Sequence, residues 1–202
     1  MKISTVQFIT SSSSFSQTKK ITDYPEYAFI GRSNVGKSSL INMLTKTNLA
    51  KTSSTPGKTQ LINHYLVNNN WFLVDLPGYG YAKTSKKNRN EFSAFSKEYL
   101  IKSPQLRCIF VLLDIRIAPQ KNDINFMNWL GEQNLPFIRV FSKAEKLNPH
   151  KINIAIQEHN NLLLQSWETP PSYILSSSKK KMGRENILNE IEVMNKIGTI
   201  DS

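Results

Sequence analysis

Cysteine is almost absent from this chain, and so are long apolar runs. Cys108 is the only cysteine among the 202 residues, so no intrachain disulfide can form and a reducing, cytoplasmic setting is expected. Cys108 lies in the longest apolar run, residues 108–113, and is predicted to be a small buried core residue. Six residues are too few to cross a bilayer, so we expect no membrane-spanning helix and no membrane partner.

Two further features are missing, and each excludes a class of protein. The only histidines, His64, His150 and His159, are scattered along the sequence, so no metal site built from histidine and cysteine ligands is predicted. Residues 1–20 are rich in serine but contain no arginine and no apolar core followed by a small-residue cleavage site. They therefore favour an extended first strand and loop over a transit peptide.

Acidic residues are too few to balance the basic ones. The chain has 26 lysines and arginines against 15 aspartates and glutamates, which gives a net charge of +11. Such an excess fits a polyanionic partner, and RNA is the commonest one for a soluble cytoplasmic protein. Because many basic proteins bind no nucleic acid, the charge indicates an RNA partner only in combination with motifs.

Strand-like and helix-like segments alternate almost throughout the chain. Short apolar strands are predicted at residues 27–30, 61–67, 71–74, 107–113, 137–141 and 173–175. Helices are predicted at residues 37–45, 88–102, 121–133, 149–165 and 184–197. Asn68, Asn69 and Asn70 suit a tight hairpin turn, because asparagine tolerates positive φ. The alternation indicates one α/β domain over residues 1–202, with the apolar stripe of the last helix docked on the sheet rather than on a partner.

The segment from Gly31 to Ser38 matches the phosphate-binding pattern G-x-x-x-x-G-K-[ST] without a mismatch. Its glycines allow a tight turn whose backbone N–H groups, with the start of the following helix, cradle phosphate oxygens. Lys37 would then reach the outer phosphates, and the Ser38 hydroxyl would ligate magnesium. The pattern also occurs by chance in glycine-containing surface loops. Here it lies between an apolar strand and an amphipathic helix, which is the context that the motif requires.

A second candidate loop, Asp75-Leu76-Pro77-Gly78, follows the apolar strand at residues 71–74. Ligands of open α/β sheets bind at the carboxyl ends of strands, so Asp75 can orient a magnesium-bound water while the Gly78 N–H approaches the terminal phosphate. Alone, such a loop is usually only a turn.

Between the two motifs, the polar loop 53–60 offers a threonine to the magnesium. Thr59 is preferred because it directly precedes a strand, and Thr55 is the alternative.

Two loops at later strand ends are candidates for guanine recognition. Ser142-Lys143-Ala144-Glu145 resembles the Asn/Thr-Lys-x-Asp element of GTPases, in which the carboxylate accepts hydrogen bonds from the base and the lysine packs over the ring. Ser176-Ser177-Ser178 resembles the loop whose backbone amide reads the guanine O6. Each alone is no more than a polar turn, but their order and their placement after strands support the base-binding interpretation.

The segments 31–42, 55–60 and 75–82 together resemble the EngB/YihA/YsxC family of small bacterial GTPases, within the TrmE–Era–EngA–YihA–septin group. The likeness covers about residues 3–197. It implies a three-layer P-loop NTPase fold of the Ras-like type, with GTP or GDP and Mg²⁺ as ligands. It also implies a role in assembly of the large ribosomal subunit, through contact with its precursor or rRNA, and a role in normal septation and cell division. A monomer with no DNA partner is expected.

The motifs and the resemblance together assign functional residues in three groups. Nucleotide binding is assigned to Gly31, Arg32, Ser33, Asn34, Val35, Gly36, Lys37, Ser38, Ser39, Gly57, Lys58, Thr59, Asp75, Leu76, Pro77, Gly78, Ser142, Lys143, Ala144, Glu145, Ser176, Ser177 and Ser178. Magnesium is assigned to Ser38 and Thr59, with Asp75 acting through a water. Catalytic contributions are assigned to Lys37, Thr59 and Gly78.

The base loop departs from the family pattern. The family usually has aspartate where Glu145 stands and threonine where Ser142 stands. Glutamate keeps the charge but adds a methylene, and a misplaced carboxylate would weaken the contact with guanine by about 1–3 kcal/mol. We therefore expect a guanine preference that this departure can soften.

Hydrolysis is expected to be slow. Ras-like GTPases have a water-orienting glutamine directly after the Asp-x-x-Gly glycine, and Tyr79 occupies that position here. Tyrosine cannot orient the attacking water in the same way, so help must come from elsewhere. In relatives, an asparagine at the position of Asn34 can ligate a potassium ion that acts electrostatically like an arginine finger. The alternative is that Asn34 merely shapes the loop.

Two basic clusters follow the predicted switch and base loops. They consist of Lys83, Lys86, Lys87 and Arg89, and of Lys179, Lys180, Lys181 and Arg184. Charge runs are often simply solvated, but the position of these two favours contact with ribosomal RNA.

A P-loop kinase would share Lys37 and Ser38, yet no acceptor pocket or arginine-rich lid is recognisable. An RNA-binding assembly factor with a structural nucleotide and negligible turnover is the alternative that Tyr79 supports.

Overall fold

The short apolar segments of the sequence become the strands of one sheet. In the computed structural model, which describes residues 1–18, 23–50, 61–79 and 95–197, the strands are β1 (Val6–Ser12), β2 (Glu26–Gly31), β3 (Ile62–Val67), β4 (Trp71–Asp75), β5 (Leu106–Asp114), β6 (Phe137–Ser142) and β7 (Tyr173–Leu175). Their order is β1-β3-β4-β2-β5-β6-β7. All pairs from β4 to β7 are parallel, whereas β3 joins β4 and β1 in antiparallel fashion.

The amphipathic segments become helices in the order that the alternation predicts. They are α1 (Phe15–Thr18), α2 (Lys37–Thr45), α3 (residues 95–102), α4 (Lys121–Glu132), α5 (Pro149–Leu163) and α6 (Arg184–Ile197). Residues 88–94 of the predicted third helix lie outside the described residues. The predicted α/β class is confirmed. None of the helices in the described ranges combines the length and hydrophobicity that a membrane span requires.

Helices cover both faces of the sheet, because its central strands are apolar on both sides. One core contains buried residues of α3, α4 and α5, among them Tyr99, Leu100, Phe126, Met127, Leu130, Ile156 and Leu163. The other contains buried residues of α2 and α6, together with Cys108, namely Leu40, Ile41, Leu44, Ile187, Leu188 and Ile191. The predicted burial of Cys108 and the docking of the α6 stripe are confirmed, although Ile197 at the end of the stripe is exposed.

Local chemistry explains the ends of several elements. Asn68 and Asn69 both have φ of 51° in the β3–β4 hairpin, as the asparagine run predicts. Helix α5 begins with Pro149 behind Asn148, whose side chain accepts a 2.9 Å hydrogen bond from the Lys151 N–H. The helix ends two residues earlier than predicted, because the chain passes into i→i+3 hydrogen bonds such as Gln165 N–H to Leu162 O at 3.3 Å.

A buried polar network ties β2 and β3 to α3. The Tyr99 hydroxyl donates to Glu26 Oε2, which also accepts a 2.6 Å hydrogen bond from the Ser103 hydroxyl. His64 Nε2 lies 3.2 Å from the Tyr99 hydroxyl, and burial lowers the pKa of His64 to about 4. The imidazole is therefore neutral at neutral pH, and this network fixes the position of α3 relative to β3.

Candidate functional site

The phosphate loop is shaped by two left-handed residues and one close backbone contact. Between β2 and α2, Asn34 has φ of 63° and Gly36 has φ of 101°. Gly31, the last residue of β2, lies so close to β5 that a Cβ would be 2.7 Å from the Leu112 carbonyl oxygen. Because the first N–H groups of a helix have no intrahelical acceptor, the loop and the start of α2 present free donors to an anion.

Lys37 and Asp75 form the charged centre of this loop. They are buried, with 8% and 2% of their surface exposed, and the Lys37 amino group contacts Asp75 Oδ1. Parallel pairing of β4 with β2 places Asp75 opposite Phe29, two residues before the phosphate loop begins. An aspartate predicted to lie behind a magnesium ion is therefore next to the lysine predicted to hold phosphate.

The second loop, Asp75 to Gly78, runs directly along the phosphate loop. The Leu76 N–H donates to Phe29 O at 3.0 Å, and the backbones of Tyr79 and Arg32 form an isolated parallel bridge. A Cβ on Gly78 would lie only 2.4 Å from the Gly31 carbonyl oxygen. Position 78 therefore tolerates no larger residue, because any side chain would push the two loops apart.

The predicted base loop is joined to the phosphate loop by two side chains. The Ser142 hydroxyl lies 2.5 Å from Val35 O and 3.1 Å from Leu113 O. Lys143, which has φ of 60°, donates from Nζ to Asn34 O at 2.6 Å and to Asp114 Oδ2 at 2.8 Å. The lysine thereby lies across the gap between the base loop and the phosphate loop.

Asp114 was not among the predicted site residues, although its position after an apolar strand could have indicated it. Burial acts to raise its pKa, but hydrogen bonds from Arg116 and Lys143 outweigh that effect and lower it. Arg116 donates to this carboxylate from Nε at 2.9 Å and from a terminal nitrogen at 2.7 Å. Asp114 is thus a fixed anion that holds Lys143 in place.

The serine loop after β7 packs against the base loop. The Ala144 N–H donates to Ser176 O at 3.1 Å, and the Ser176 N–H donates to Phe141 O at 2.8 Å. The Ser177 hydroxyl holds the pKa of Glu145 below its ordinary value. Nevertheless Glu145 Oε2 is shielded from solvent and completes no hydrogen bond within the described residues. A carboxylate oxygen without a partner fits a residue whose remaining donor comes from a ligand.

The structure brings together four of the predicted groups and leaves one untested. Residues 31–38, 75–78, 142–145 and 176–178 all lie at the carboxyl ends of the parallel strands, with Ser39 exposed on the first turn of α2. Gly57, Lys58, Thr59 and the alternative Thr55 lie outside the described residues, as do Lys83, Lys86, Lys87 and Arg89. The predictions for these residues stay predictions.

The residues present fit a magnesium ion shared with a nucleotide better than a metal held by protein alone. Ser38 and Asp75 supply the oxygen ligands that magnesium prefers. In the part of the chain that the structure describes, no group of three or more histidine, cysteine, aspartate or glutamate side chains could hold a metal. Magnesium in phosphate sites takes one or two protein oxygens, and phosphate and water complete its shell.

The sequence is similar to that of known GTP-binding proteins over nearly its whole length. Residues 26–143 match the family model described as 50S ribosome-binding GTPase. The probable GTP-binding protein EngB of Christiangramia forsetii is 53% identical over 196 residues, covering 96% of this chain and 98% of that relative. Its counterpart in Bacteroides fragilis is 48% identical over 197 residues, covering 97% and 98%.

Solved structures share the fold at lower identity. A crystal structure of a probable GTP-binding protein engB has a TM-score of 0.70 at 22% identity, covering 85% of this chain and 98% of that one. Era in complex with MgGDPNP and nucleotides of 16S ribosomal RNA has a TM-score of 0.65 at 21% identity, covering 83% and 55%. These likenesses confirm the predicted G-domain fold.

Replacing Lys143 tests the base side of the site. We expect Lys143→Met to weaken the binding of fluorescently labelled GDP at least about tenfold, because it removes charge-assisted bonds to Asn34 and Asp114. Titration of the label measures this change, and thermal unfolding verifies that the variant is folded. Lys146→Met is the matched control, since Lys146 lies in the same loop but is exposed. Equal loss in both variants would contradict the assignment.

Proposed function

Because this chain belongs to the EngB family of GTP-binding proteins, we propose that it is a slow, magnesium-dependent GTPase that acts as a switch in assembly of the large ribosomal subunit. Normal septation and cell division would depend on that assembly step. The observation that carries the proposal is the convergence of the phosphate loop, Asp75, Gly78 and the base loops at one edge of the sheet. The family model described as 50S ribosome-binding GTPase supports the choice of partner.

The ion pair between Lys37 and Asp75 defines how the site changes on binding. In the GTP complex the Lys37 amino group turns to the outer phosphates, which replace Asp75 as its anionic partner. The freed carboxylate would then hold magnesium through a water, and Ser38 and Thr59 would supply direct oxygen ligands. Magnesium, when bound, neutralises charge on the phosphates. Gly78 offers its N–H to the terminal phosphate, so that the loop responds to the loss of that group.

Guanine recognition is assigned to Lys143, Glu145 and the serine loop. Lys143 is already held in place by Asp114, so its hydrocarbon chain offers a fixed surface on which the base can pack. The Glu145 carboxylate accepts from the base, and the backbone of residues 176–178 reads its oxygen. The Glu145 carboxylate is ionised at neutral pH, and the Ser177 hydroxyl lowers its pKa further, so it can accept hydrogen bonds from the base.

Competition against labelled GDP in magnesium tests the guanine preference. We expect unlabelled GTP and GDP to compete at least about tenfold better than ATP, since adenine leaves the Glu145 carboxylate unpaired. Glu145→Ala should reduce that ratio, whereas Glu145→Asp, which restores the shorter side chain of the family, should keep or increase it. ATP competing as well as GTP with the unaltered protein would contradict guanine recognition.

The surroundings of Tyr79 and Asn34 support slow, potassium-assisted hydrolysis. The Tyr79 ring is buried against Phe126, with ring centroids 4.5 Å apart, so its hydroxyl is directed into the core. The Asn34 side chain is exposed, and no hydrogen bond within the described residues engages its amide group. That amide oxygen is therefore available to a monovalent cation beside the phosphates.

Phosphate release in potassium and in sodium measures the cation effect. We expect turnover to be at least about tenfold faster in potassium, because a positioned cation stabilises charge in the transition state. Asn34→Gly, which removes the amide but accepts the left-handed backbone of the loop, should remove the difference, and GDP affinity measured alongside shows whether the site is intact. Equal rates in the two salts would refute the role of Asn34.

Contact with RNA is assigned to the lysines after the serine loop, but not to Arg184 of the predicted cluster, which is buried and donates to Leu44 O at 2.8 Å. Lys179, Lys180 and Lys181 are exposed. A pair of hydrogen bonds between Ser177 and Met182, both 3.1 Å, holds the turn that presents them. The lysines are thus attached to the loop assigned to the base, which links RNA contact to nucleotide binding.

Salt dependence of binding to large-subunit particles tests this contact. Replacing all three lysines by glutamine should reduce the slope of log affinity against log salt by about 2, since each lost phosphate contact removes about 0.7–0.9. The matched control replaces three exposed lysines on other elements, Lys46, Lys121 and Lys151. Equal slopes in the two triple variants would show that the turn makes no phosphate contacts.

The buried Tyr79 also favours a second candidate function, an RNA-binding assembly factor whose nucleotide is structural. The two functions differ in turnover. A switch releases phosphate over many cycles, and large-subunit particles accelerate it. If phosphate release stays negligible both with and without particles, the structural role replaces the switch.

A further inference from the structure

A small cluster of side chains lies at the end of the second loop, residues 75–78, and all its members except Arg32 are outside the groups assigned to phosphate, metal or base. We call it the Tyr79 cluster, and it consists of Arg32, Tyr79, Asp123 and Phe126. Only 8% of Tyr79 is exposed, and its ring stacks on Phe126 at an interplanar angle of 29°. The cluster thus joins the phosphate loop, the second loop and α4.

Asp123 is the unusual member of this cluster. Only 6% of it is exposed, in the first turn of α4, and burial raises the pKa of its carboxyl to about 6 against opposing effects of the Tyr79 hydroxyl and Arg32. Within the described residues neither Asp123 Oδ1 nor the Tyr79 hydroxyl completes a hydrogen bond, although the two groups lie close enough to affect each other's pKa. A buried carboxylate so poorly satisfied is unfavourable for the folded state.

Helix α4 begins at Lys121, and its N-cap residue Gln120 makes no side-chain capping bond. Asp123 lies in the first turn, where the helix dipole favours a carboxylate. Its position also places it beside the nucleotide site, because it lines a cavity of about 180 Å³ that Arg32 and Asn34 also border.

The chain gives this cluster a direct path to the terminal phosphate. Tyr79 is the residue after Gly78, and Gly78 lies against the Gly31 carbonyl oxygen with no room for a Cβ. The parallel bridge between Arg32 and Tyr79 aligns the two backbones at the same point. We therefore expect a change in the packing of the Tyr79 side chain to move the Gly78 N–H relative to the phosphate loop.

We propose that Asp123 is a positioning residue that, by holding Tyr79 against Phe126, fixes the Gly78 N–H where it can bind the terminal phosphate and so sets the preference for GTP over GDP. This rests on the proposed function, in which Gly78 contacts the terminal phosphate. Asp123 contacts no nucleotide itself, and its effect is confined to the state that contains the third phosphate.

Two variants test the proposal with little change of shape. Asp123→Asn removes the charge, and Tyr79→Phe removes the hydroxyl but keeps the stacking on Phe126. Each should weaken the binding of a non-hydrolysable GTP analogue at least about fivefold relative to GDP, as coupling between sites typically does. The double variant should lose no more than the larger single loss, because both changes act through the same pair of neighbouring side chains.

Stability separates positioning from a structural role. At pH 7.5 Asp123→Asn should have a thermal midpoint equal to or above that of the unaltered protein, since it removes a charge that burial disfavours. Glu132→Gln, at an exposed carboxylate of the same helix, is the matched control. It should change neither the thermal midpoint nor the GTP-to-GDP affinity ratio. Tyr79→Phe keeps the test decisive if Asp123→Asn does not fold.

The outcomes are distinct. A lower GTP-to-GDP affinity ratio with unaltered GDP affinity supports positioning by Asp123. Equal loss for both nucleotides, additive losses in the double variant, or an unchanged ratio would each overturn it. If the unaltered protein itself shows equal affinity for the analogue and GDP, the proposed contact of Gly78 with the terminal phosphate fails first.

Discussion

The parallel pairing of β2 with β4 on one side and β5 on the other determines where every loop of the site lies. Phe29 on β2 is level with Asp75, the last residue of β4, and with Phe110, four residues before the end of β5, so the three strands end near one another at the same edge of the sheet. All six residues of β2 are buried, which anchors that edge in the two cores. The phosphate loop, the Asp75 loop and the Asp114 region then leave the sheet within contact distance of one another.

The second constraint is that the backbones of neighbouring loops lie so close together that only glycine fits between them. Gly31 lies under the Leu112 carbonyl, and Gly78 lies on the Gly31 carbonyl, so three successive strand ends are stacked without side chains between them. Such contacts allow a shift in one loop to reach the next without a flexible linker. The Tyr79 cluster and the network around Glu26 then provide two separate anchors for parts of the chain that follow β4.

Much of this arrangement follows from local sequence signals. Helix α2 has the bounds 37–45 that the phosphate-loop motif predicts, and β7 and α6 also end where the apolar periodicity predicts. Those signals are local, since turn chemistry and periodicity act within a few residues. By contrast, the burial of Arg139, which donates to Pro171 O at 3.0 Å and lies over Tyr173, cannot be read from a strand of alternating residues. It depends on a contact 32 positions away.

In the functional site, too, some features follow from local sequence signals and others depend on packing between distant elements. Motifs identify Lys37, Asp75 and Lys143, because their roles require a residue type at a fixed spacing. The ion pair that holds Lys143 and the burial of Tyr79 against α4 depend on how distant elements pack, and spacing carries no information about them. Asp123 is the clearest case, since in sequence it is simply an acidic residue in the first turn of a helix.

Buried charges in this protein fall into two kinds, and the difference bears on how it binds nucleotide. Lys37 is paired with Asp75, and Asp114 with the partly exposed Lys143, whereas one oxygen of Asp123 has no partner in the described residues. Removing one member of a buried pair would cost about 3–5 kcal/mol, because the other charge is left unpaired. When phosphate replaces Asp75 at Lys37, one anion is exchanged for another and the phosphate loop need not be rebuilt. The binding energy of the third phosphate is then available to order the loop that ends at Gly78. That loop is the segment whose position Asp123 controls, through its interaction with Tyr79.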